Sequence, residues 1–132
     1  MPEMDNRKND LSSYRMTTAK ETLIVSKELL ENAHYKDSIN RSYYAVYYAI
    51  KAVLAIEGVD FKKHKDVVAY FNQHYVATDL FERDMGRMIS RLQQKREKSD
   101  YDDFFIAAKE EAELQCEMAE KIINQIENYL GK

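Results

Sequence analysis

Apolar residues in this chain of 132 residues recur at intervals of three, four and seven, the period of helices packed on one face. Met16, Ala19, Leu23, Leu30 and Ala33 predict a first helix over about Leu11–Ala33. A second starts at Asp37 or Ser38, either of which can cap it, and ends at Gly58, a natural residue just past a helix end. A weaker third spans about Lys65–Tyr75 and buries Val68 and Phe71. The fourth opens at Asp79, where Asp79-Leu80-Phe81-Glu82 resembles a capping box with Asp as the cap. It carries Phe81, Met85, Met88, Ile89 and Leu92 inward and fades near Ser99. Past the connector Asp100–Phe105, a fifth helix over about Ala108–Leu130 shows the seam Ala112, Cys116, Ala119, Ile123, Ile126 and Leu130. The pattern predicts an all-α protein, an up-and-down four-helix bundle with one additional short helix. Leu114, Met118, Ile122 and Tyr129 form a second apolar line on the fifth helix, which either meets the first helix or makes a homodimer contact.

Composition supports that reading. Three glycines and one proline leave few turn formers for a β-fold, and the length suits one domain. Residues 1–10 read as a disordered lead-in and 11–132 as the bundle. A net charge of −3 gives no global attraction to nucleic acid, so any such contact needs a local patch. The single cysteine, Cys116, excludes an intramolecular disulfide framework. With no apolar run long enough for a bilayer and no signal-like start, the expectation is a cytoplasmic protein with no membrane contact. Gly occurs only at positions 58, 86 and 131, so no glycine-rich phosphate cradle or nucleophile elbow can be built. Glu31 and His34 have di-iron spacing, but no second Glu-x-x-His follows, and neither a metal site nor a cofactor is expected.

Chemistry concentrates in two places. Asn40–Ala49 carries four tyrosines and an arginine on one helix. At about 100° per residue, Tyr43 and Tyr47 share the arc of Ile39, Ile50 and Leu54. Tyr44 and Tyr48 lie on a shoulder with Arg41 and Asp37, either as packing or as a polar site. The fourth helix holds six basic and two acidic residues between Arg83 and Lys98. Arg83, Arg87, Arg91 and Lys95 form one basic stripe, either a solvated face paired with acids of the fifth helix or a phosphate-binding surface. Arg96 instead projects among Met85, Ile89 and Leu92, with Asp100 and Tyr101 following. An inward guanidinium must reach water or find acceptors. The Arg96–Asp100–Tyr101 group is either a helix-end clamp or a place where a phosphate displaces the carboxylate.

These residues together resemble the HEPN domain family, in particular the small prokaryotic members encoded beside a minimal nucleotidyltransferase. The resemblance rests on Asn40-Arg41-Ser42-Tyr43-Tyr44-Ala45 with Tyr47-Tyr48-Ala49, on Gly58, Phe61 and His64, on Arg96 with Asp100-Tyr101-Asp102, and on Lys109-Glu110-Glu111-Ala112. It covers about Thr18–Leu130. It implies a helical bundle, a homodimer and a nucleotidyltransferase protein partner in a toxin–antitoxin-like pair. It also implies RNA or nucleotide binding, for which Arg41, Tyr44, Tyr48 and His64 are the candidates beside the basic stripe Arg83, Arg87, Arg91 and Lys95; Arg96, Asp100 and Tyr101 are the candidate catalytic residues. Ribonuclease members resemble one another in an Arg-x4–6-His motif, in which His moves protons and Arg stabilises phosphorane charge. Here no histidine follows Arg83, and Ser99 stands where the family's His-x-Tyr would place it. The expectation is therefore a non-catalytic partner subunit. The alternatives are a metal-independent ribonuclease toxin, with Arg96 for charge and Asp100 or His64 as base, and a plain helical interaction module.

Overall fold

The computed structural model describes residues 2–131, with side chains over 7–131. Five helices follow in order: α1 (Pro2–Glu31), α2 (Tyr35–Glu57), α3 (His64–Phe71), α4 (Arg83–Tyr101) and α5 (Lys109–Leu130), with a π-helical turn over Asn72–Val76. No strand occurs among the described residues. α2 is central. It packs along α1, and also against α5, α4 and α3.

α1 begins earlier than the expected Leu11 and takes in the segment read as a lead-in back to Pro2; Met1 lies outside the described residues. Proline suits a first helical position because it has no N–H to leave unsatisfied there, and no glycine interrupts the residues that follow. α1 and α2 then pack through small residues. Ser12 Oγ donates to the Ala52 carbonyl at 2.7 Å. Ser26 Oγ donates to the Ser38 carbonyl at 3.0 Å and lies 2.6 Å from Ser42 Oγ and 3.0 Å from Cys116 Sγ. Each hydroxyl is buried but satisfied, so the serines add close approach without the cost of a stranded polar group. Ser38 is thus committed to this interface. The expected cap at Asp37 or Ser38 does not form: α2 starts at Tyr35, and His34 in the N-cap position makes no side-chain cap bond.

Both ends of the α1–α2 hairpin close in the same way. Gly58 has φ +74° and donates to the Ala55 carbonyl at 3.0 Å, while Val59 N–H reaches Leu54 O at 3.1 Å. This is a Schellman closure. The same pair of bonds ends α1, with Ala33 N–H on Leu30 O at 3.1 Å and His34 N–H on Leu29 O at 2.8 Å. There the left-handed residue, φ +64°, is an alanine.

The third helix breaks where it was expected to continue. Ala77 N–H bonds to Asn72 O at 2.8 Å, an i→i+5 step, which makes Asn72–Val76 a π-turn. The Glu57 carboxylate at the end of α2 pins this turn by accepting hydrogen bonds from the hydroxyls of Tyr75 and, at 3.4 Å, Tyr70. The capping box expected at Asp79 is also absent. Asp79 adopts φ +65°, a conformation that Asp tolerates, and α4 starts at Arg83 behind Glu82, which makes no cap bond. On α5, the second apolar line faces inward. Met118 and Ile122 are buried, and Leu114 and Tyr129 pack against the core, with Tyr129 5.0 Å from the Phe81 ring. That line is used within the monomer.

Candidate functional site

α3 and α4 each bring a side chain to the tyrosines of α2. Tyr43 and Tyr47 are buried, as their arc predicts, and Tyr44 and Tyr48 are half-buried on the shoulder. Arg41 stands over the Tyr44 ring at 4.8 Å and donates to the Asn40 side-chain carbonyl at 3.0 and 2.6 Å. From the first position of α3, the His64 ring stacks on Tyr47 at 4.0 Å and meets Tyr44 edge-on at 5.5 Å. From α4, the Arg96 guanidinium lies 4.8 Å from the Tyr43 ring and 5.8 Å from Tyr44. The expected set Arg41, Tyr44, Tyr48 and His64 therefore forms one assembly with Arg96.

Arg96 is 9 % exposed, turned inward as its helical angle requires. Its Nη1 reaches Asp100 Oδ2 at 3.5 Å, and Asn40 Nδ2 donates to both Asp100 oxygens at 3.2 Å. Arg41, Asn40, Asp100 and Arg96 thus form a chain from α2 to the end of α4. The pairing of Arg96 with Asp100 is long for a clamp. Among the described residues, Arg96 Nε, Tyr43 Oη and Ser99 Oγ are buried without a hydrogen-bond partner. Burial works against the Arg96 charge, but Tyr44, Tyr43 and Asp100 outweigh it and keep the pKa above the ordinary arginine value. Burial pushes the Tyr43 phenol up to about 12, partly offset by the Arg96 charge. Burial, then the charges of Arg96 and Lys51, hold His64 below its ordinary value, so its imidazole is neutral at neutral pH.

Tyr101 stands apart from this assembly. It is 77 % exposed on the outer face of α4, although it adjoins Asp100 in sequence.

The basic stripe lies on that outer face too. Arg83, Arg87, Arg91 and Lys95 line an open groove of about 850 Å³ together with Gly86, Ser90, Gln94 and, from the π-turn, Asn72, Val76 and Ala77. Gly86 allows a close approach: a Cβ there would lie 3.3 Å from Val76 Cγ1, which would have to shift by a few tenths of an ångström. Glu111 of α5 takes Arg91 at 3.1 Å and Lys95 at 3.6 Å, and Asp84 takes Arg87 at 3.8 Å. Burial alone would raise the Glu111 carboxyl. Hydrogen bonds from Gln115 and Arg91 and the nearby Lys95 outweigh it and hold the pKa below the ordinary value. Much of the stripe is therefore paired, as the solvated-face reading expects.

Sequence reasoning quoted Asn40 in the motif that carries the resemblance but gave it no role in the site, although it precedes Arg41 and lies one turn before Tyr44. It also read Tyr43 as packing alone, whereas Tyr43 forms the aromatic wall under Arg96.

The HEPN domain family model matches residues 12–129. A UPF0332 protein of Thermotoga maritima is 30% identical over 125 residues, covering 95% of each chain. Two proteins of Methanocaldococcus jannaschii, provisionally named as toxins, are 34% and 28% identical over 112 residues. Those two alignments each cover 85% of this chain, and 83% and 76% of the respective relatives.

Proposed function

The chain belongs to the HEPN domain family, and from that premise we propose that it is a nucleotide- or RNA-associated partner subunit of a nucleotidyltransferase. In this reading it is one half of a toxin–antitoxin-like pair and acts as a homodimer. The observation that carries the proposal is Arg96: a buried cation held on two tyrosine faces, loosely paired with Asp100 and with Nε unbonded. Arginine's planar fork binds phosphate well, and the neighbouring Tyr44 and Tyr48 offer rings on which a base can stack. Names given to the archaeal relatives support the toxin-like part of the reading. No described helix is long and apolar enough to cross a membrane.

Retention of a short labelled oligoribonucleotide on filters tests the reading. Arg41→Ala with Tyr44→Ala is expected to lower retention about tenfold, with binding that weakens as salt rises. Unchanged retention in that double variant would sink it. Tyr101, 77 % exposed, would offer a partner transferase an accessible hydroxyl. Tyr101→Phe is expected to abolish any nucleotide attachment seen by mass spectrometry.

One observation favours a second reading, a ribonuclease with a rearranged site. The fold brings His64, in its neutral proton-accepting form, to the tyrosines that hold Arg96. Growth arrest on expression, relieved by Arg96→Ala and by His64→Ala, would support that reading over the first.

A further inference from the structure

Two rows of α4 side chains run the length of the outer groove, about 60° apart round the helix and over about 18 Å of it. One is the cation row Arg83, Arg87, Arg91 and Lys95. The other is Gly86, Ser90 and Gln94, whose first two members are small. Beside Gly86 the π-turn supplies a second wall, with Val76 and Ala77. Small residues at intervals of four leave a channel into which a facing helix can press a ridge of its own. The cations climb about 6 Å from one to the next, as do acidic side chains placed every fourth residue on such a helix. The two halves of the cation row are committed differently. Glu111 of α5 takes Arg91 and Lys95, so an acid on a neighbouring helix already answers the C-terminal half. In the N-terminal half, Arg83 makes no ion pair among the described residues, and the well-exposed Arg87 meets Asp84 of its own helix at 3.8 Å. The apolar wall of Val76 and Ala77 lies at this same, less committed end.

We propose that the groove is a docking site for an acidic amphipathic helix of another protein. Carboxylates at intervals of four on that helix pair with Arg83 and Arg87, and an aliphatic side chain between them rests on Gly86 against Val76 and Ala77. This is helix-in-groove recognition, in which the apolar anchor supplies affinity and the rim charges set register and speed of encounter. A single-stranded RNA is the competing occupant, and the groove suits it less. None of the lining residues is aromatic, so bases have nothing to stack on. Asp84 and Glu111 already pair with three of the four cations, which leaves few counterions for phosphates to release. A peptide helix needs only two or three carboxylates here, because the apolar wall contributes the rest. The groove lies apart from Arg96, which points into the bundle, so the proposal stands independently of the reading of Arg96 above.

Selection of a random peptide library of about 16 residues, long enough to span the groove as a helix, displayed on phage against the immobilised full chain, tests the proposal. Enriched peptides are expected to carry Asp or Glu four residues apart around a Leu, Ile or Met. The strongest of them is then made with a fluorescent label and titrated by anisotropy. Arg83→Glu combined with Arg87→Glu is expected to weaken its binding at least tenfold, and exchange of the peptide's acids for Lys to recover binding to that double variant. Ser90→Trp, which fills the channel with every charge in place, is expected to weaken binding about tenfold as well. All three positions are exposed, so the variants should fold, which circular dichroism verifies. Failure to enrich peptides with this acidic spacing overturns the proposal, as does an enriched peptide that binds the double variant as it binds the wild type. If the double variant loses oligoribonucleotide retention while peptide binding stays intact, the groove is a nucleic-acid surface and the proposal fails.

Discussion

Replacing Arg96 with methionine separates a structural clamp from a functional group. Methionine keeps much of the side-chain volume but removes the charge and every N–H. Three contributions decide the result. The cation over Tyr43 at 4.8 Å is worth about 1–2 kcal/mol at this burial. The 3.5 Å pairing with Asp100, whose side chain is 30% exposed, adds about 0–1 kcal/mol. Against these, methionine removes the buried, unbonded Nε, which costs the wild type about 1–3 kcal/mol. Asp100 keeps both Asn40 bonds, so no carboxylate is stranded. The central values cancel and the extremes lie within about 2 kcal/mol of zero, in line with the replacement of buried ions by hydrophobes of similar volume. Arg96→Ala removes the stem as well and leaves a void, for about 2–3 kcal/mol of destabilisation. At this length 1 kcal/mol moves the melting temperature by about 3–5 °C. Thermal denaturation followed by circular dichroism should therefore place Arg96→Met near the wild type and Arg96→Ala about 6–15 °C lower. Both variants should lose oligoribonucleotide retention. An Arg96→Met protein that melts as low as Arg96→Ala while retaining RNA would show that the charge is structural, and the functional assignment would fail.

Two further outcomes are expected. Ala33→Gly should raise the melting temperature, because Ala33 holds φ +64°. A left-handed alanine costs about 1–2 kcal/mol, only partly offset by the roughly 0.5–1 kcal/mol of extra chain entropy glycine loses on folding; an unchanged or lower melting point refutes this. His64 should make stability pH-dependent in a defined direction. Its folded pKa lies below the ordinary 6.5, so the unfolded chain takes up the proton first. The stabilisation is full above pH 6.5 and is lost as pH falls through the lower folded value. His64→Gln should flatten that slope between pH 7 and 5. An NMR titration midpoint for His64 at or above 6.5 would contradict the burial argument.

The helices and their inward faces were legible because burial follows period. Tyr43, Tyr47, Met85, Ile89 and Leu92 all lie where the angular arithmetic sends them, and so does Arg96. Helix ends were legible only where residue type dictates backbone conformation. Gly58 announces a left-handed closure; Ala33 makes the identical closure with a residue that gives no such sign. Asp79 satisfied a capping pattern yet uses Asp's other capacity, tolerance of positive φ. Ser38 looked like a cap because serine reads as polar. The signal of its burial was elsewhere, in the seven-residue spacing of Ser12, Ala19 and Ser26 against Ser38, Ser42, Ala45, Ala49 and Ala52. The α3 break was not legible, because the pin that holds the π-turn, Glu57 to Tyr75, crosses 18 positions. Nor was the stacking of His64 on Tyr47, since nothing local connects the loop after Gly58 to the middle of α2.

The last turn and a half of α4 shows why short motifs mislead about sites. Arg96, Ser99, Asp100 and Tyr101 read as one group, and a helix must send them in different directions. Arg96 and Ser99 point into the bundle and are buried. Asp100 turns to the side, where Asn40 of α2 holds it. Tyr101, about 140° from Arg96, points to solvent beside the connector. The helix stops just beyond, with Asp102 N–H on Lys98 O at 2.9 Å, and Asp102 Oδ1 then accepts from Phe104 N–H at 2.9 Å to shape the connector. Groups so separated cannot act on one atom at once, so Arg96 and Tyr101 must serve different steps or different partners. Their variants should therefore behave independently. Tyr101→Phe leaves the packing around Tyr43 and Tyr44 untouched and should bind RNA as the wild type does. Arg96→Met leaves Tyr101 exposed and modifiable. Loss of RNA retention in Tyr101→Phe would mean that the two share a ligand, which their directions on one rigid helix forbid within a single copy and allow only across a dimer.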